Sequence, residues 1–296
     1  MSDHLCNLII PGAAKSGTST LHALLDQHPA ICMSRAKEPH YFSKDQNYRL
    51  GPAKHNAIFD AETSSAAKYF GESSTGYLLW PKAIERIRAD LADPMIIIIL
   101  RHPVERAFSH YRWRYRLGLE KRPLLPALKH DGDDYDPARP DRYGYMSYLQ
   151  FSRYSVFCPL WIETFGADKV KLVPFERLAS DPRGLMKELF RFLDLSDIDL
   201  DPKLRVNTTE KLQRKQLRRH PLSFILPQRI RRSAPFQKVK QRIGKRLAPV
   251  PPRKLSIEER KYLNEVLASD VSWYDALFNS GDVSNSITAS TYISNA

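Results

Sequence analysis

Residues 11–20 read PGAAKSGTST, a run of small residues and hydroxyls with one lysine inside it. Gly12 and Gly17 have the separation found in nucleoside-triphosphate loops, where a lysine and a serine or threonine follow the second glycine. Here Thr18 follows Gly17 directly, and Lys15 sits within the loop. A strand-to-helix turn of this kind points backbone N–H groups at an anion. Gly17 permits close approach, Ser16, Thr18, Ser19 and Thr20 add hydroxyl donors, and Lys15 adds a point charge. The chemistry predicted for this stretch is the gripping of a phosphate.

A second anion site is predicted from IIIILRHPVERAFSHY, where Arg101 ends an aliphatic run and Ser109 follows eight residues later. Nucleoside triphosphatases need a carboxylate near the end of a neighbouring strand to help hold magnesium. A cation in that place argues against magnesium chemistry and suits a further phosphate group. No metal ion is expected.

The elements that must position these residues follow from periodicity. LCNLII (5–10), KYFGE (68–72), MIIIILR (95–101) and VKLVPFE (170–176) read as strands, the third apolar on both faces as interior parallel strands are. Helices are predicted over 19–28, over 81–92 (Ile84, Ile87 and Leu91 on one stripe), over 103–118 and over 181–195. A further helix is predicted over 154–166, with Pro159 expected to break it early, and helical spacing returns over 261–278. Strands alternating with helices predict an α/β, P-loop-like three-layer fold, a central parallel sheet flanked by helices. Ligands of such folds bind beyond the carboxyl ends of the strands, where PGAAKSGTST lies.

The two anion sites together resemble the phosphosulfate-binding signatures of sulfotransferases that use 3'-phosphoadenosine 5'-phosphosulfate (PAPS). They stand in order about 85 residues apart, with AKEPHYFSKD (36–45) and GESSTGYL (71–78) between them. VPFERLASDP and ASDVSWY extend the similarity to the carbohydrate branch, heparan sulfate N- and 3-O-sulfotransferases and bacterial relatives. The resemblance implies that Lys15 neutralises the bridging oxygen as the sulfuryl group departs. It implies that Ser16, Gly17, Thr18, Ser19 and Thr20 hold the 5'-phosphate and that Arg101 and Ser109 hold the 3'-phosphate. PAPS would be the cosubstrate and 3'-phosphoadenosine 5'-phosphate (PAP) the product. Glu38 aligns with a proposed general base, with His40 the alternative base, and Lys37, His40 and Glu72 would lie near the acceptor, a carbohydrate or glycolipid. Ser73 stands where carbohydrate enzymes often have lysine, which separates this chain from a heparan-like acceptor pattern.

Composition sets the outer bounds. The chain has 296 residues, 42% of them apolar and 27% charged, which is ordinary for a globular protein, but its net charge of +13 predicts anionic partners. Thirteen lysines and arginines and no acid fall within 211–246, inside a proline-interrupted basic segment at about 205–255. This segment reads as a solvated cationic face, a cradle for an anionic glycan or nucleotide, or a patch for an anionic membrane surface using Phe224, Ile225 and Leu226. A single domain is expected over 1–278, with a loose tail over 279–296. Cys6, Cys32 and Cys158 are too few for a disulfide framework, and no secretory signal is visible. The expected location is cytoplasmic, peripheral to a membrane if the basic patch binds one, or the Golgi lumen if an N-terminal anchor has been trimmed. Rival readings are a kinase with a degenerate loop and, from HYRWRYR (110–116), a non-catalytic nucleic-acid binder; no nucleic acid is expected.

Overall fold

A five-stranded, all-parallel sheet in the order β2-β3-β1-β4-β5 organises the computed structural model. Residues 4–60, 66–131, 147–201, 251–252 and 254–279 are described. The basic segment 211–246 and residues 280–296 of the tail lie outside them. The strands are β1 (Leu8–Ile10), β2 (Ile31–Met33), β3 (Tyr69–Ser73), β4 (Met95–Leu100) and β5 (Val170–Pro174). Helix α1 (Thr18–Leu25) follows β1, and the short α2 (Asp45–Tyr48) and α3 (Gly51–Asn56) precede β3. Helices α4 (Pro81–Asp90), α5 (Pro103–Arg116) and α6 (Leu124–Lys129) follow in order. Then come α7 (Tyr154–Phe165), α8 (Phe175–Ser180), α9 (Pro182–Phe192), α10 (Ile257–Val266) and α11 (Ala268–Phe278).

Strand β4 shows why three layers form. Its side chains alternate between faces, so Ile96, Ile98 and Leu100 join one apolar cluster while Met95, Ile97 and Ile99 join the other. The first cluster includes Ile84 and Ile87 of α4 and Trp161 and Ile162 of α7. The second includes Leu21, Leu24 and Leu25 of α1 with Leu185, Met186, Leu189 and Phe190 of α9. Beside these layers, Val104, Ala107, Phe108 and Tyr111 on α5 pack with Leu124 and Leu128 of α6 and Leu263 of α10. That packing fixes the rotation of α5 and therefore the face it turns to the first loop.

Two sequence expectations need correction, and one strand was not foreseen. Pro159 does not break α7; it lies inside the helix. An interior proline costs roughly 3 kcal/mol, but Phe157, Cys158, Trp161 and Ile162 around it are buried, each worth about 1.5–3 kcal/mol if large and apolar. The helical pattern over 261–278 belongs to two helices that break at Leu267, the first held by a capping box between Ser256 and Glu259. Strand β2 was not expected: three residues, ICM, are too few to show a period, and pairing with β3 creates it. Among the described residues, no helix is long and apolar enough to cross a membrane.

Candidate active site

The loop between β1 and α1 is anchored by its backbone. Ile99 N–H donates to Gly12 O at 3.0 Å, Ala13 N–H to Ile99 O at 2.7 Å, and Leu78 N–H to Pro11 O at 3.0 Å. Gly17 is then left-handed, with φ of 87°, and leads into α1 without any side-chain cap. Thr20 and Leu21 N–H bond back to Gly17 O, so the N–H groups before them at the head of α1 have no intrahelical acceptor. Ser16 is fully buried, and its Oγ has no hydrogen-bond partner. The Tyr154 hydroxyl faces it without reaching normal hydrogen-bond geometry. A buried hydroxyl and free N–H groups around a left-handed glycine make an anion cradle.

Gly17 is required on two grounds. A Cβ there would stand 2.8 Å from the Phe175 ring, in a backbone region that side chains rarely adopt. Gly17→Ala is expected to destabilise the fold by about 1–3 kcal/mol and to weaken nucleotide binding at the loop. Thermal melting and titration with PAP check this; an unchanged melt with unchanged affinity would contradict it.

Lys15 also has positive φ, 72°. Its ammonium lies 5.1 Å from the centroid of the Trp113 ring on α5. Burial lowers its pKa to about 8, and the charges of Arg101, Arg106, Arg116 and Lys37 push the same way. The loop thus gathers cationic charge from several segments, the converse of a metal site.

Arg101 leaves the end of β4 with its guanidinium 5.1 Å from the Phe175 centroid, and it has no ion pair among the described residues. Ser109 is half-buried on α5. Arg106 of the same helix is fully buried and structural: it donates to Ser152 Oγ at 2.7 Å and to Tyr148 O. Burial lowers its pKa to about 10.

The segment after β2 delivers the next group. Lys37 Nζ donates to Thr18 Oγ1 at 3.0 Å and Ser19 Oγ at 3.2 Å, so this lysine is seated on the loop's own hydroxyls. Burial lowers its pKa, and neighbouring Glu38 partly restores it. The Glu38 carboxylate accepts from Thr75 N–H at 2.9 Å and Thr75 Oγ1 at 3.1 Å. It lies 3.7 Å from Lys37 Nζ and 3.7 Å from His40 Nε2. Glu38 and His40 both adopt positive φ, 60° and 53°. Held backbone strain of this kind collects at functional sites. His40 is mostly buried, and desolvation lowers its pKa, with Glu38 opposing; its backbone N–H is taken by Ser74 Oγ at 3.1 Å.

Glu72 does not line the cleft with them. It is fully buried and accepts from Ser74 Oγ at 2.9 Å and Tyr77 Oη at 3.0 Å, with His55 Nε2 at 3.3 Å. The expectation that it touches an acceptor is corrected by this enclosure: Glu72 braces Ser74, which in turn holds His40. Cys6, His55 and Glu72 bring potential ligand atoms within 4.8 Å of one another. The carboxylate there is already engaged by two hydroxyls, and His55 Nδ1 meets His4 Nδ1 at 3.2 Å.

Sequence reasoning missed Arg112, Trp113 and Arg116 as part of this site, treating them only as a basic aromatic stretch. Their spacing from Ser109 by three, four and seven residues puts all four on one helical face. That spacing was the available signal.

Residues 7–199 match the model of the Sulfotransferase family, a span that contains the loop, Glu38, Glu72, Arg101 and Ser109. The chain belongs to the sulfotransferase family. Among curated relatives, mouse heparan sulfate glucosamine 3-O-sulfotransferase 3B1 is 30% identical over 213 residues, 71% of this chain and 51% of that protein. The bifunctional heparan sulfate N-deacetylase/N-sulfotransferase 1 of Xenopus laevis is 25% identical over 204 residues, 66% of this chain and 23% of that protein. The chain thus spans about half the length, or less, of these relatives. Among solved structures, a sulfotransferase from Alicyclobacillus acidocaldarius superposes with a TM-score of 0.59 at 29% identity, covering 70% of this chain and 90% of that one. The parallel sheet and its loop are the sulfotransferase fold.

Proposed function

We propose that this sulfotransferase-family chain moves the sulfuryl group of PAPS to a hydroxyl or amine of a carbohydrate or glycolipid acceptor, releasing PAP. The observation that carries the reading is the charge pattern: Lys15 is desolvated at the head of α1 and lies within reach of the charges of Arg101, Arg106, Arg116 and Lys37. A donor bearing phosphate at both the 5' and 3' positions fits two such cationic points. The buried Ser16 hydroxyl and the space kept clear by Gly17 suit the 5'-phosphate, and Arg101 with Ser109 suits the 3'-phosphate.

In the transfer, the acceptor oxygen bonds to sulfur as the bond from sulfur to the 5'-phosphate oxygen breaks. The acceptor's proton passes to Glu38, and the electron pair of the broken bond stays on the phosphate, whose new charge Lys15 neutralises. Preformed cations cost no reorganisation at that moment. Glu38 is suited to its part because Thr75 fixes both carboxylate oxygens and Lys37 links it to the loop hydroxyls. The curated relatives are named for 3-O- and N-sulfation of heparan sulfate, which supports a carbohydrate acceptor and keeps both oxygen and nitrogen nucleophiles in the reading. Arg101 at the end of β4, where a triphosphatase needs a magnesium-holding acid, supports metal-free transfer.

The test is a transfer assay with labelled PAPS against glycans, glycolipids and small alcohols, with product mass determined. Sulfated product formed in the presence of a chelator is expected. A product formed only from ATP and magnesium would replace this reading with a kinase.

A pH dependence follows from Lys15. Below about pH 8 Lys15 carries its proton; above it, binding an anion must first take one up. Affinity for PAP is therefore expected to fall above pH 8, by up to roughly tenfold per pH unit, and Lys15→Ala should abolish that slope. A flat wild-type affinity through this range, measured calorimetrically, would contradict it.

A further inference from the structure

Arg112 is a cation that neither the loop nor the Arg101–Ser109 pair accounts for. It stands three residues after Ser109, on the same face of α5. Its guanidinium lies 5.6 Å from the centroid of Phe108, a ring packed into the α5–α6 cluster, so the side chain has an apolar support beneath it. Its Nε is buried and has no hydrogen-bond partner. Burial lowers its pKa, and Arg116 and then Arg101 add to that effect; no carboxylate offsets them. Arg101 and Arg116 thus act on both Lys15 and Arg112, and Arg112 shares its helical face with Ser109. An arginine whose buried N–H lacks an acceptor, on the helical face of Ser109 and within the electrostatic reach of Arg101, is arranged for an anion with several oxygens.

We propose that Arg112 supplies a second guanidinium to the donor's 3'-phosphate, making the site select 3'-phosphorylated nucleotides over those with a free 3'-hydroxyl. This rests on the donor reading above. A nucleotide with a 3'-hydroxyl leaves two neighbouring guanidinia uncompensated, and discrimination arises from that penalty as much as from the phosphate contacts.

The test is calorimetric titration of the full chain with PAP and, separately, with adenosine 5'-phosphate. Wild type is expected to prefer PAP. Arg112→Ala should weaken PAP roughly ten- to a hundredfold and leave adenosine 5'-phosphate within about twofold, with Arg112→Lys intermediate for PAP. Thermal melts of both variants report folding, and Arg112→Gln, which keeps the stem over Phe108, provides a second neutral variant. A PAP preference that survives Arg112→Ala and Arg112→Gln undiminished would overturn the assignment of Arg112 while leaving the donor reading intact. So would equal losses for the two nucleotides. Wild-type protein that binds no PAP would overturn the donor reading and this inference with it.

Discussion

Replacing Lys15 with alanine is expected to lower turnover by about two to three orders of magnitude without lowering stability. Both halves come from the same surroundings. Burial of the ammonium, with the charges of Arg101, Arg106, Arg116 and Lys37 adding to it, brings its pKa from 10.5 to about 8. The charge proposed to meet a phosphosulfate is thus a liability to the fold, on the order of 3 kcal/mol at neutral pH. The sign is fixed by the direction of the shift. Below pH 8 the lysine is protonated folded or unfolded, so the liability is complete; it fades as pH rises from 8 towards 10.5 and is gone above that range. Alanine removes it, and alanine fits the left-handed backbone at this position no worse than lysine. The variant should melt at the wild-type temperature or higher, yet bind PAP weakly and transfer slowly. A variant that melts lower and keeps its turnover would show Lys15 to be a structural residue.

Glu38→Gln is expected to reduce turnover by about 10²–10⁴-fold while PAP affinity stays within a few-fold of wild type. Glutamine can keep both contacts to Thr75, its carbonyl accepting the N–H and its amide meeting the hydroxyl that Glu38 now accepts from. The 36–45 segment should therefore hold its shape, and the loss isolates the proton-accepting role. Glu38 also stands 3.7 Å from Lys37, which reaches the loop hydroxyls. If the carboxylate served only to orient Lys37, the substitution would appear as weaker donor binding. Parallel measurement of kcat and PAP affinity separates the two. Unchanged kcat would remove Glu38 from the chemistry.

The parts of the site legible in the sequence are those that are local along the chain. PGAAKSGTST is a strand end, a turn and a helix start, so Gly17, Lys15 and the hydroxyls fall together whatever the rest of the fold does. Arg101 is legible because MIIIIL identifies an interior strand and the arginine marks its carboxyl end; the structure pairs that strand with β1 on one side and β5 on the other. The parallel sheet follows from the same runs. Glu72 was misread because its environment is assembled from afar: His55 comes from α3 and Tyr77 from beyond β3, and together they enclose the carboxylate. Arg112 and Trp113 were missed because their relevance depends on the rotation of α5. That rotation is set by Val104, Ala107, Phe108 and Tyr111 packing on the next helix, α6, and on α10 from far along the chain. Burial of side chains around Pro159 likewise overrides a local rule that is sound in isolation.

A crystal structure with PAP bound is the most direct measurement of whether one nucleotide bridges the loop and the β4–α5 corner. The expected result is the 5'-phosphate on Lys15 and the N–H and hydroxyl groups of residues 16–20, with the 3'-phosphate of the same molecule on Arg101 and Ser109. A nucleotide that reaches only one of these two clusters, or lies outside both, would contradict it.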